Sequence, residues 1–196
     1  MERKTDLRII KTHKALRESL ESLLLEKPLS EITVNEICER AMVRRATFYK
    51  HFGDKYELLT FILKEMKDEV KDVIAIQDKT HSEVKDIKTI LHRDIVITLE
   101  YIETNESLLR ALNNDCSTGL VSQLMTNHFS WDIKEYLTQS GNIGNINSAS
   151  SSLMYQLLTG ALLYGLTWWL NHKEQFTKDE LAKQLSDFIV NVIDGV

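Results

Sequence analysis

An all-α fold follows from three features of this 196-residue chain. It has one proline and seven glycines, its apolar residues recur at spacings of three and four almost throughout, and capping signatures stand where those stripes begin. About nine helices are expected, and the length is ample for a real core. Cys38 and Cys116 lie far apart and fit no metal or redox spacing, so they read as reduced thiols of a cytoplasmic protein. The opening residues, MERKTDLRII, interleave charges with apolar side chains and hold no signal-peptide core.

Ile9, His13, Leu16, Leu20 and Leu23 make the inner stripe of a first helix, which Lys27-Pro28 ends. Thr33 and Glu36 have capping-box spacing and open a short second helix with Ile37 and Ala41 inward. Met42-Val43 is a turn so short that the chain must fold back steeply, and a third helix follows at once. Gly53 is expected to close that helix at positive φ. Asp54 and Glu57 form a second capping pair that starts a long fourth helix, with Leu59, Ile62, Leu63, Met66, Val70, Val73 and Ile74 as its buried stripe. Later helices are expected over 83 to 104, 106 to 114, 118 to 139, 148 to 171 and 177 to 194. The polar, turn-rich stretch 139 to 152 reads as a surface loop.

Net charge is −5, yet its distribution is uneven. Residues 1 to 55 carry twelve Lys/Arg against nine Asp/Glu, a net of +3, and the remaining residues carry twelve against twenty, a net of −8. A basic amino-terminal quarter on an acidic body points to a polyanion partner for the first part. On a helical wheel, burying Phe48 and Phe52 turns Ala46 and Lys50 outward, with Thr47 and Tyr49 on the flanks. Those residue types suit a major groove of double-stranded DNA. A lysine reaches guanine acceptors or a phosphate, and an alanine lets the backbone approach and meets a thymine methyl. Thr47, Tyr49 and His51 are placed for the phosphate walls, and Thr33 and Lys55, each at a helix start, add dipole or charge for a phosphate. Capping box, tight turn, short basic helix and second capping pair come in the order and spacing of a helix-turn-helix.

The stretch ITVNEICERAMVRRATFYKHFGDKYELL, Ile32 to Leu59, resembles the DNA-binding signature of the TetR family of bacterial transcription regulators, with TFYKHF and the following DKYEL its most specific pieces. By motif the resemblance covers residues 8 to 68. It implies a homodimer with a DNA-binding head, residues 1–55, and a body, residues 56–196, that binds a small effector and dimerises. It also implies a repressor that reads an inverted-repeat operator. The family's DNA contacts map onto Thr33, Arg44, Arg45, Thr47, Tyr49, Lys50, His51 and Lys55. Two positions depart from the family pattern: Met42 stands where the turn has glycine, and Arg44 where serine caps the recognition helix. Each departure costs about 1 kcal/mol, the first if φ is positive and the second through a lost cap.

Within the body, Leu153 to Leu170 is long and apolar enough to raise a membrane span. Gln156, Thr159 and Thr167, and the lack of a basic cluster at either end, favour a core or subunit-interface helix instead. Gly160, Ala161 and Gly165 offer small surfaces where another helix can approach closely, and Leu181, Leu185, Phe188 and Val192 form a seam on the last helix; Leu157, Ala161 and Gly165 with that seam are the expected dimer interface, with packing inside one subunit as the alternative. Polar or aromatic residues on apolar stripes mark an effector pocket: Asp94, Thr98, Tyr101, His128, Trp131, Tyr155 and Trp168. His128 and Asp132 make a possible hydrogen-bonding or metal pair, or a solvent-facing salt bridge. No G-x-S-x-G, H-E-x-x-H, P-loop or dinucleotide fingerprint is present, so neither catalysis nor a cofactor is expected. A helical scaffold or membrane-attached interaction protein is the competing class.

Overall fold

The computed structural model describes residues 7–80, 86–114 and 149–194. Within them the backbone forms α1 (Leu7–Leu24), a 3₁₀ turn (Leu29–Glu31), α2 (Val34–Arg40), α3 (Arg45–His51), α4 (Lys55–Thr80), α5 (Ile87–Thr104), α6 (Glu106–Asn114), α7 (Ala149–Leu170) and α8 (Lys178–Asp194). The all-helical expectation holds, with no strand among the described residues. The helix expected over 118 to 139 lies outside them. The helix expected over 148 to 171 is α7, so residues 149 to 152, which the polar stretch 139 to 152 also took in, are its first turn.

The chain divides into two compact units, Met1–Met66 with Ser107–Val121, and Lys67–Glu106 with Ser122–Val196. In the first, the α1 stripe is buried as its spacing requires: Leu16 and Leu20 are fully covered, and Leu23 and Leu24 nearly so. They share the interior with Ile37, Phe48, Phe52, Leu58, Leu59, Ile62 and Leu63. Polar ties fix the angles between helices. The Ser19 hydroxyl donates to the Ile37 carbonyl at 2.8 Å, joining α1 to α2 from a buried position where an unpaired hydroxyl would be costly. Arg17 reaches Glu21 on its own helix and Glu65 on α4. Arg40 grips Glu26 with both terminal nitrogens, at 2.6 and 2.9 Å, and also donates to Ser22.

Two local expectations need correction. Gly53 does not adopt positive φ. Helix α3 ends when Phe52 turns extended, at φ −138° and ψ 134°. Glycine is suited to position 53 for a different reason: its N–H donates to Glu57 Oε2 at 2.6 Å, and an added Cβ would meet that oxygen at 3.0 Å. Asp54 does cap α4, accepting from the Tyr56 and Glu57 amides, while Glu57 reaches back to Gly53. The second correction concerns Val73, which is exposed; the fully buried stripe of α4 stops at Met66, the last residue of the first unit's opening segment.

In the second unit α5 lies along α8. Lys88 meets Asp187 near one end and Lys178 meets Glu103 near the other, so the two helices run in opposite directions. Their core centres on Leu91, Leu158 and Ile189, flanked by Ile95, Met154, Leu162, Val190 and Val192. Helices α7 and α8 approach closely at Gly165, where an added Cβ would touch the Leu185 side chain at 3.5 Å.

Candidate nucleic-acid interface

The first unit's outward structure begins at Thr33. Its hydroxyl accepts from the Glu36 amide at 3.2 Å while Glu36 accepts from the Thr33 amide at 2.9 Å, a complete capping box. Lys27 also bonds Glu36, and that ammonium first, with Thr33 next, holds the Glu36 carboxyl down to about 2. The folded carboxylate therefore binds its proton more weakly than the unfolded one. Its contribution is complete above pH 4.5 and is lost as pH falls towards 2.

Helix α2 ends at Ala41 in a Schellman arrangement. The Val43 amide donates to the Cys38 carbonyl, the Met42 amide donates to that of Glu39, and Met42 sits at φ 52°. The left-handed conformation is present without glycine, so the strain of about 1 kcal/mol expected for Met42 is carried here. Its side chain is 94% exposed and recovers nothing by packing. Arg44 then occupies the N-cap of α3 with extended φ and ψ and makes no side-chain cap, leaving its guanidinium outside.

Helix α3 is seven residues long, too short to persist alone in water, and is held by its two rings. Phe48 is completely buried and Phe52 nearly so, with centroids 5.9 Å apart. Phe61 of α4 and His13 of α1 close around Phe52 at 5.4 and 5.1 Å. Because both rings point inward, Ala46 and Lys50 lie exposed on the other side, as do Arg44 and Arg45 at the helix start. Tyr49 is half-exposed beside them, and the Arg45 guanidinium sits 6.0 Å from its ring centroid. That pairing limits the rotamers of both side chains before any partner arrives. Thr47 and His51 are half-buried at the margins.

Lys55 departs from the expected outward set. Its ammonium donates to the carbonyls of Leu29, Ser30 and Ile32 at 2.7, 3.0 and 2.7 Å, so all three donors are filled by the 3₁₀ turn and its exit. Sequence position placed it at a helix start; tertiary structure makes it a plug. Arg40 is likewise committed, to Glu26 and Ser22, and the sequence held no signal for these contacts beyond the opposite charges of Arg40 and Glu26.

Of the pocket residues expected in the body, Asp94, Thr98, Tyr101 and Trp168 have described side chains, each with a bonded or stacked neighbour. Asp94 is buried, but its Oδ1 is held by the adjacent Arg93 at 2.7 and 2.9 Å. The Thr98 hydroxyl donates to the Asp94 carbonyl, and Tyr101 donates to Glu69 at 2.5 Å. Trp168 stacks on His172 with centroids 4.1 Å apart. His128, Asp132 and Trp131, and the side chain of Tyr155, lie outside the described residues. Within those residues no group of three or more His, Cys, Asp or Glu is placed to hold a metal ion.

The expected dimer seam also divides. Leu181 is only 6% exposed and Val192 packs against the α5–α7–α8 core, while Gly165 and Leu185 face each other; these four serve the subunit's own interior. A sequence stripe cannot tell an intramolecular neighbour from a second copy, which is why the seam looked uniform. Leu157, Ala161 and Phe188 point outward, together with Leu153 and Tyr164.

Comparison with known proteins gives two family matches, to bacterial regulatory proteins of the tetR family over residues 17–60 and to a transcriptional regulator C-terminal region over residues 90–191. The chain is similar to two HTH-type transcriptional regulators of Bacillus subtilis. It is 34% identical to YxbF over 76 residues, 38% of this chain and 20% of that protein, and 38% identical to YdeS over 78 residues, 40% of this chain and 37% of that protein. It thus spans well under half the length of either. Among solved structures, a putative TetR-family regulator from Syntrophomonas wolfei aligns with TM-score 0.66 at 19% identity, covering 94% of this chain and 96% of that one, a shared fold. Among the described residues no helix is long and apolar enough to cross a membrane.

Proposed function

The chain belongs to the TetR family, regulators of transcription that bind DNA through a helix-turn-helix, and from that premise we propose that it is a homodimeric repressor of an inverted-repeat operator, released by a small-molecule effector. The observation that carries the DNA half of this reading is the inward anchoring of Phe48 and Phe52, which leaves Ala46 and Lys50 exposed between Arg44, Arg45 and Tyr49. Lys50 and Ala46 face base edges; Thr33, Arg44, Arg45, Thr47, Tyr49 and His51 line the phosphates on either side. Lys55 is left out because its donors are spent within the head. The outward apolar residues Leu153, Leu157, Tyr164 and Phe188 support a second copy as the body's partner, since exposed apolar side chains on neighbouring helices gain by mutual burial.

A mobility-shift titration against the DNA upstream of the protein's own gene, at several salt concentrations, tests the reading. Specific binding with a steep fall of log K against log salt is expected, and equal weak binding to every sequence sinks it. In the same assay Lys50→Ala is expected to cost roughly 1–3 kcal/mol and to relax the preference at one position per half-site. A uniform loss over all sequences reassigns Lys50 to a phosphate.

Lys55→Met separates its two candidate duties. As a plug, its removal takes the ammonium from the carbonyls of Leu29, Ser30 and Ile32, of which Leu29 keeps the Ile32 amide, so the head is expected to lose roughly 1–3 kcal/mol of stability while the salt slope stays that of the wild type. A slope reduced by about one with unchanged melting would return Lys55 to the phosphate set.

A further inference from the structure

His13 sits where an imidazole has no evident structural purpose. It projects from α1 into the box formed by Phe52 and Phe61, with ring centroids 5.1 and 5.0 Å away, and meets the edge of His51, on the exposed helix α3, at 4.9 Å. Its Nε2 is buried and has no hydrogen-bond partner among the described residues. A phenylalanine or leucine would fill this space without orphaning a polar atom. An imidazole here costs stability in the neutral state, and what it adds is the ability to take a proton.

We propose that His13 is a proton-sensitive latch that, through its ring contact with His51, seats α3 while the His13 imidazole is neutral and loosens it in mildly acidic conditions. The groups around His13 determine the direction. From α3 it faces His51, whose proton would repel a second one; from α4 it faces Glu65, which would welcome a proton but is already bonded to Arg17, one turn along α1 from His13. Phe52 and Phe61 supply no hydrogen bond to a charged ring. Burial first and His51 second hold the His13 imidazole below its ordinary 6.5, with Glu65 pulling weakly the other way. The unfolded or unlatched chain therefore binds the proton more readily than the latched one. Stability from this site is complete above pH 6.5 and falls as pH drops through and below that value, with a limit of about tenfold in the opening equilibrium per pH unit for one proton. Carboxylates with ordinary values titrate lower, so the range 7.5 to 5.5 isolates the imidazoles.

Hydrogen–deuterium exchange on the full chain tests this without an operator, so the latch and the regulator reading fail separately. After correction for the intrinsic pH dependence of exchange, the amides of α3 are expected to open several-fold more at pH 5.5 than at pH 7.5, and His13→Leu is expected to abolish that difference. Equal protection of α3 at both pH values in the wild type, or the same acid loosening in the variant, overturns the latch. Should His13→Leu fold poorly, the ring resonances of the wild-type protein decide by NMR: a His13 midpoint below the ordinary imidazole value is expected, and one at or above it refutes the proposal.

Discussion

Phe48→Ala is expected to lower the stability of the first unit by roughly 3–5 kcal/mol, the range for removing a fully buried ring. A small domain has only about 5–15 kcal/mol in total, so a first unfolding transition should separate from the rest of the melt. The effect on α3 should be disproportionate. Seven residues cannot sustain a helix without tertiary support, and Phe48 is the centre of that support, with Tyr49 at 5.5 Å and Phe52 at 5.9 Å. Circular dichroism on heating, read beside the exchange of the α3 amides, gives the test. A melt indistinguishable from wild type would show that α3 is held by something other than its rings. Lys50→Ala provides the contrast: its side chain is exposed, so it should alter DNA binding and leave the melt within about 0.5 kcal/mol.

The parts of this molecule that the sequence made legible are those whose causes are local. Thr33 and Glu36 are three residues apart and satisfy each other's amides whatever surrounds them, so the box was readable and is found intact. The four-residue spacing of Phe48 and Phe52 leaves one way to bury both rings, and that alone places Ala46 and Lys50 outside. The turn at Met42 was legible as a turn from its shortness; that it carries strain was foreshadowed only by the family pattern, which has glycine there, and φ 52° shows the left-handed conformation that glycine would take without cost.

What escaped is long-range. Lys55 and the carbonyl of Leu29 are 26 residues apart, and nothing in either neighbourhood announces the contact. Leu181 and Phe188 lie on the same stripe of α8 by count. One is 6% exposed and the other 44%, because α5 and α7 cover one part of the stripe and leave the other open. His13 read as one more member of an apolar stripe. Its orphaned nitrogen and its contact with His51 are properties of three helices meeting. Local chemistry therefore identified the outward face of α3, and only the packed structure identified what holds that face out.

Trp169→Ala should be the most damaging single change in the second unit, at roughly 3–5 kcal/mol. The ring is 1% exposed, and its indole N–H donates to the Phe176 carbonyl at 2.9 Å, closing the turn between α7 and α8. Lys173 lies over the ring, its ammonium 5.1 Å from the centroid, and reaches Glu103 and Glu106, so the indole supports an ion-pair cluster as well as a core. Trp169→Phe divides the two contributions. It keeps most of the apolar volume and leaves the Phe176 carbonyl without its donor, for an expected loss of about 1–3 kcal/mol. Chemical denaturation should rank wild type, Phe and Ala in that order; an Ala variant as stable as wild type would mean that the α7–α8 turn is not closed by this ring. Helices α7 and α8 also carry Leu157 and Phe188 of the proposed subunit contact. A loosened turn should therefore lower the dimer fraction in sedimentation equilibrium at protein concentrations where Trp169→Phe still associates. If dimerisation survives Trp169→Ala undiminished while stability falls, the contact between subunits must form on a surface that does not need α7 and α8 held together.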